Sequence, residues 1–138
     1  MLGKRRGIPL APSGGVPFYL ANMNVLLVTA NADLRAAARR VLEREGHEVA
    51  TAAHSGHALL AGLECDRIDV LISDLKLDGV TGEWVAESLR RYHGEMRAIF
   101  LAETGTAPRA GVLVRPFISD DLLREIGGIH PVTLPAAS

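Results

Sequence analysis

Asp69-Val70-Leu71-Ile72-Ser73-Asp74 is the stretch that decides how this chain folds. Val70-Leu71-Ile72 is β-branched and apolar, as in a strand buried on both faces of a parallel sheet, and Ser73 follows. The run then stops at a carboxylate. To either side the chain alternates short apolar runs with helical periodicity, the pattern of strands joined by crossover helices.

Toward the N-terminus, Val25-Leu26-Leu27-Val28 reads as the first strand and Glu48 to Ala52 as a weaker second one. Asn31 is placed to cap the helix between them, Asp33 in its first turn suits the helix dipole, and Leu34, Ala38, Val41 and Leu42 form one apolar stripe. Gly46 ends that helix. Ser55 opens the next, with Leu59, Leu60 and Leu63 expected to face the sheet. Beyond Asp74, the segment Leu75 to Gly82 reads as a loop with an Asp78-Gly79 turn signal, followed by a helix carrying Trp84, Val85, Leu89 and Tyr92. Ala98-Ile99-Phe100-Leu101 and Val112-Leu113-Val114 are strands four and five. Ser119 is expected to cap a last helix with Asp120 and Asp121 in its first turn and Leu122, Leu123 and Ile126 inside. The connection Ala102 to Gly111 is too short for the usual crossover of a dozen or more residues, so an extended or single-turn link replaces a helix there.

The 138 residues, 48% of them apolar and 22% charged, fit one domain at 23–127 between tails at 1–22 and 128–138. Fifteen basic residues against sixteen acidic ones leave a net charge of −1, which favours neither nucleic acid nor an acidic membrane surface. The single Cys65 has no internal disulfide partner, and no Cys/His spacing matches a zinc module, which points to a reducing cytoplasm. His54 and His57 share a helical spacing, but two histidines do not make a metal site. Lys4, Arg5 and Arg6 precede apolar residues as in a secretory signal, yet Pro9, Pro12, Gly14, Gly15 and Pro17 break what should be an unbroken core of about 7–15 residues. The sequence also reads straight into the first strand from Met23. No stretch approaches the roughly 20 apolar residues of a membrane span.

In open α/β sheets, ligands bind at the carboxyl ends of the strands, where Asp74 falls. A carboxylate there also serves simply to accept backbone hydrogen bonds and begin a turn. Asn24–Val28, Leu34-Arg35, Glu43–Val49, Ser55–Leu59, Asp69–Asp74, Gly79–Gly82 and Arg115-Pro116-Phe117, in that order and spacing, resemble the receiver domain of two-component response regulators, from Asn24 to about Ile126. The resemblance implies a flavodoxin-like, doubly wound, five-stranded parallel sheet of order 2-1-3-4-5, here with the fourth helix missing or reduced. It also implies a phosphoacceptor carboxylate at Asp74, in a pocket formed with Thr29, Ala30, Lys76, Ala102, Arg115 and Pro116.

In the family that pocket holds Mg²⁺ on an acidic pair after strand one and uses a hydroxyl after strand four and a lysine on strand five, because phosphoryl transfer needs a cation and donors for the developing charge. In this chain those positions are Thr29 and Ala30, Ala102, and Arg115. Mg²⁺ relies on carboxylates, so its binding is expected to be weak, with Asp74 the sole acidic ligand. Val112 stands where an aromatic side chain commonly reports phosphorylation. Arginine matches a carboxylate in a bidentate fork, so Arg115 is expected to pair with Asp74.

The leading expectation is a non-enzymatic, receiver-like signalling module that works through protein contact with phosphorylation weakened or lost. The alternative is a working phosphoacceptor served by a histidine kinase. A nucleotide or flavin binder is disfavoured, because the Thr29–Asp33 turn has no glycine and Asp33 repels phosphate. The expected partner is a histidine kinase or another signalling protein. The first-helix arginines Arg35, Arg39 and Arg40 offer a docking face and the strand-five edge a homodimer contact. Nothing in the sequence favours nucleic acid.

Overall fold

The computed structural model describes residues 22–127. The expected tails at 1–22 and 128–138 lie outside them, Asn22 excepted. In chain order the elements are β1 (Asn24–Val28), α1 (Ala32–Arg44), β2 (Glu48–Ala52), α2 (Ser55–Glu64), β3 (Val70–Asp74), β4 (Lys76–Leu77), β5 (Val80–Thr81), α3 (Gly82–Arg90), β6 (Arg97–Ala102), β7 (Val112–Val114) and α4 (Ser119–Ile126). Five strands form one parallel sheet of order β2-β1-β3-β6-β7, the doubly wound order expected, with β3 at its centre.

The central strands β1 and β3 are buried on both sides, which is why they read as apolar runs. Val25 and Leu27 of β1 join Val70, Ile72, Ile99 and Leu113 beneath α1 and α4. Leu26 and Val28 join Leu71 and the buried face of α2 and α3 on the other side. Every residue of β3 is buried.

Local signals explain the helix ends. The Asn31 side chain accepts the Leu34 N–H at 2.9 Å and starts α1. Gly46, at φ +96°, stops it: its N–H reaches the Glu43 carbonyl and that of His47 the Leu42 carbonyl, a Schellman ending that a residue with a Cβ would strain.

Four expectations need correction. Leu60 and Leu63 do not face the sheet: they are 54% and 60% exposed, and α2 buries Ala58, Ala61 and Gly62 instead. Small residues let α2 and α3 approach so closely that a Cβ on Gly62 would collide with the Leu89 side chain. The last helix is capped at Ile118, with Ser119 already helical; the Asp121 carboxylate reaches back to accept the Ile118 N–H at 3.0 Å. Tyr92 lies past the end of α3 and is exposed. The segment expected as a loop after Asp74 contains a small antiparallel hairpin, β4 with β5, folded at Asp78-Gly79.

No helix joins β6 to β7. Glu103 to Gly111 instead makes two turns, at Thr104-Gly105 and at Ala110-Gly111, the second closed by an isolated antiparallel bridge between Arg109 and Val112. Phe100 is consequently only half-buried.

Candidate functional site

Asp74 ends the central strand, where β3 stands between the loops that follow β1 and β7. Both loops contact it. The Ala30 N–H donates to Oδ2 at 3.0 Å, and Nη2 of Arg115 lies 3.5 Å from Oδ1. The residue is only 9% exposed, so its charge is met by a backbone dipole and a guanidinium more than by water. The arginine geometry is not the bidentate fork: Asp74 Oδ1 and Arg115 Nε are buried without a hydrogen-bond partner among the described residues.

The other sequence-derived positions divide into those that build the pocket and those that stand aside. Thr29 is fully buried and locally engaged: its hydroxyl accepts the Asn31 N–H at 3.2 Å, and its carbonyl accepts from Arg35 at 2.7 Å. Ala30 contributes backbone alone. Ala102 is buried at the end of β6 and offers its carbonyl to the Arg115 N–H at 3.0 Å. Arg115 precedes Pro116 through a cis peptide bond, and Pro116 is exposed on the rim of a groove of about 290 Å³ beside β7. Lys76 is exposed on β4, across from Thr81. His54 spends Nδ1 on capping α2, where it accepts the His57 N–H at 3.1 Å.

Two contributors escaped the sequence reading. Gly82 opens α3 against the strand end, where a Cβ would sit 2.4 Å from the Asp74 carbonyl oxygen and 3.0 Å from the Ser73 hydroxyl. Thr104, in the turn after β6, donates its hydroxyl to the Arg115 carbonyl at 3.1 Å. The glycine preceding a helical pattern was a signal for close approach. The Thr104 bond had none, since it links two loops through a backbone atom.

The donor set does not suit a magnesium ion. One carboxylate, already facing a cation at 3.5 Å, stands with a threonine whose hydroxyl is engaged and an alanine. Mg²⁺ demands near-octahedral oxygen ligands and usually one or two carboxylates in addition to phosphate oxygens. Among the described residues no group of three or more His, Cys, Asp or Glu side chains is placed to hold a metal. No helix of the described residues is long and apolar enough to cross a membrane.

Comparison with known proteins agrees with this fold. The family model for the response regulator receiver domain matches residues 25–126. Among solved structures, a response regulator receiver domain protein from Clostridium thermocellum is 26% identical, with a TM-score of 0.68 over 77% of this chain and 92% of that one. The chemotaxis protein CheY4 of Vibrio cholerae is 27% identical, with a TM-score of 0.68 over 79% of this chain and 99% of its own. The receiver domain of the hybrid histidine kinase CckA is 29% identical, with a TM-score of 0.66 over 76% and 96%. No curated protein matches the chain. With the family model spanning three quarters of its length and a five-stranded parallel sheet of order β2-β1-β3-β6-β7, the chain belongs to the response regulator receiver domain family.

Proposed function

We propose that this receiver domain signals chiefly through protein–protein contact, with phosphotransfer to Asp74 weakened or lost. The observation that carries the reading is the occupation of Asp74: Arg115 lies 3.5 Å from one carboxylate oxygen and the Ala30 N–H binds the other. An attacking carboxylate needs a free oxygen and a cation to offset the incoming phosphoryl charge. Arg115 supplies positive charge but competes for the nucleophile itself, and Thr29 and Ala30 offer no carboxylate where the family has its metal-binding acids. In this reading Thr29, Ala30, Lys76, Ala102, Arg115 and Pro116 are remnants of a pocket arranged around Asp74, and Mg²⁺ binds weakly.

The second reading, a working phosphoacceptor phosphorylated by a histidine kinase, draws on Asp74 keeping its place at the end of the central strand with Oδ1 taking no hydrogen bond. Incubation with Mg²⁺ and acetyl phosphate, followed by intact-protein mass spectrometry, separates the two. The leading reading expects little or no phosphoryl adduct. A stoichiometric adduct that vanishes in Asp74→Ala establishes the second.

The partner in either reading is a histidine kinase or another cytoplasmic signalling protein. Arg39 and Arg40 are exposed on α1 and suit an acidic partner face, although Arg39 also pairs with Glu43 at 3.0 Å. The β7 edge is the surface for a homodimer, and there the Val112 N–H is already satisfied by the Arg109 carbonyl at 3.1 Å. Sedimentation of the full chain tests that contact, and a monomer at all accessible concentrations removes it.

A further inference from the structure

The β6–β7 connection has lost a helix but is not slack where it leaves the sheet. The Glu103 carbonyl accepts the Thr106 N–H at 3.1 Å and closes a turn around Thr104 and Gly105. Gly105 takes φ +100°, a conformation that side chains resist, with open space around it. The turn presents the Thr104 hydroxyl to the Arg115 carbonyl at 3.1 Å. On the other side of the same residue, the Arg115 N–H donates to the Ala102 carbonyl at 3.0 Å. Both peptide groups of Arg115 are thus tied to the end of β6 and the turn that follows it.

The side chain is held less firmly than the backbone. Nη2 sits 3.5 Å from Asp74 Oδ1, beyond a good charge-assisted hydrogen bond, and neither that oxygen nor Arg115 Nε has a hydrogen-bond partner among the described residues. With only a long ion pair to hold the guanidinium, its distance from Asp74 follows from where the Arg115 backbone is anchored. Of the two anchors, the bond to Ala102 continues the β6–β7 ladder and belongs to the sheet. The other depends on a single side chain.

We propose that Thr104 is a positioning residue that holds Arg115 over Asp74. The inference rests on reading the Arg115–Asp74 pair as what occupies the carboxylate. Removing the hydroxyl frees the Arg115 carbonyl to turn toward water, lets the Arg115-Pro116 segment swing, and loosens the pair without touching either charged group. It also makes the turn after β6, in the helix-free link between β6 and β7, the element that controls access to Asp74.

The test uses the ¹⁵N-labelled full chain and the guanidinium resonances of Arg115, assigned by their disappearance in Arg115→Lys. A guanidinium held by a carboxylate rotates slowly about its Nε–Cζ bond and shows separate Nη signals, whereas a released one averages them. The wild type is expected to show separate signals, Thr104→Val averaged ones, and Thr104→Ser separate ones again, with the Leu101 and Leu113 backbone amides unmoved in all three. Separate signals in Thr104→Val overturn the proposal and leave the pair standing. Averaged signals in Thr104→Ser also overturn it, because the hydroxyl then does not suffice. Averaged signals in the wild type, unchanged in Asp74→Asn, dismiss the pair itself and the functional reading with it.

Discussion

Replacing Arg115 by methionine and Asp74 by alanine, singly and together, measures the interaction on which the site depends. For unit charges 3.5 Å apart, Coulomb's law gives about 5 kcal/mol at an effective dielectric near 20 and about 1 kcal/mol in bulk water. The Arg115 side chain is 29% exposed and the Asp74 side chain 12%, so the pair stands between those limits. The missing hydrogen bond at Oδ1 removes the directional part of the gain, and solvent screens what remains on the arginine side. A coupling energy of about 1–2 kcal/mol is therefore expected from the double-mutant cycle. Asp74→Ala alone is expected to cost little or to stabilise, because it removes a buried charge. Arg115→Met is expected to destabilise by more than its share of the coupling, because it leaves that charge buried with the Ala30 N–H alone. Urea denaturation of the four proteins supplies the cycle, with the midpoint shift converted through m. Repeating it in high salt should lower the coupling only in part, since a half-buried pair is screened less than a surface one. A coupling within about 0.3 kcal/mol of zero refutes the reasoning, because non-interacting sites add within that margin.

Three further outcomes follow from the packing. Gly82→Ala should destabilise by about 1–3 kcal/mol in the same denaturation assay, since its Cβ meets the Asp74 backbone oxygen at 2.4 Å and neither strand nor helix can yield; an unchanged midpoint would mean that α3 slides freely. The double substitution Leu60→Ser and Leu63→Ser should shift stability by no more than about 0.5 kcal/mol per site, because both side chains are exposed, whereas a loss of several kcal/mol would return them to the sheet face. His47 is buried with Nδ1 accepting the Met23 N–H at 3.0 Å, and burial lowers its pKa against the opposing pull of Glu45. The unfolded chain then takes up that proton first, so stability contributed above the ordinary histidine pKa is lost as pH falls from about 6.5 through the lowered folded value. Melting temperatures between pH 7.5 and 5.5 should decline less steeply in His47→Gln, and equal slopes would assign the decline to other groups.

Most of the fold is legible in residue order because its signals are local. Four apolar residues in a row at Val25–Val28, a capping Asn31 and a Gly46 at positive φ each act over a few residues, and the structure realises all three. The short Ala102–Gly111 link is likewise arithmetic of chain length. Errors arose where the outcome depended on what an element packs against. Leu59, Leu60 and Leu63 all look like a helix core by hydrophobicity, but only Leu59 packs against it; close packing on Leu89 favours the side of α2 that bears Ala58, Ala61 and Gly62 and leaves Leu60 and Leu63 exposed. Ser119 is a better capping residue than Ile118, yet Asp121 satisfies the preceding amide and the helix starts one residue earlier.

At the site, sequence alone determined that a carboxylate ends the central strand, and the resemblance to receivers implied that Thr29, Ala30, Ala102 and Arg115 stand where the family has acids, a hydroxyl and a lysine, because these are matters of residue type in a known order of strands. Only the tertiary structure decided how that carboxylate is held: by a backbone N–H from Ala30, by an arginine within ion-pair reach but outside a bidentate fork, and by a threonine bond to the Arg115 carbonyl. Backbone donors and acceptors are the same in every residue, so the contacts they make across 11 or 44 positions leave no mark in composition or spacing. They exist once the strands have brought three loops to one end of the sheet.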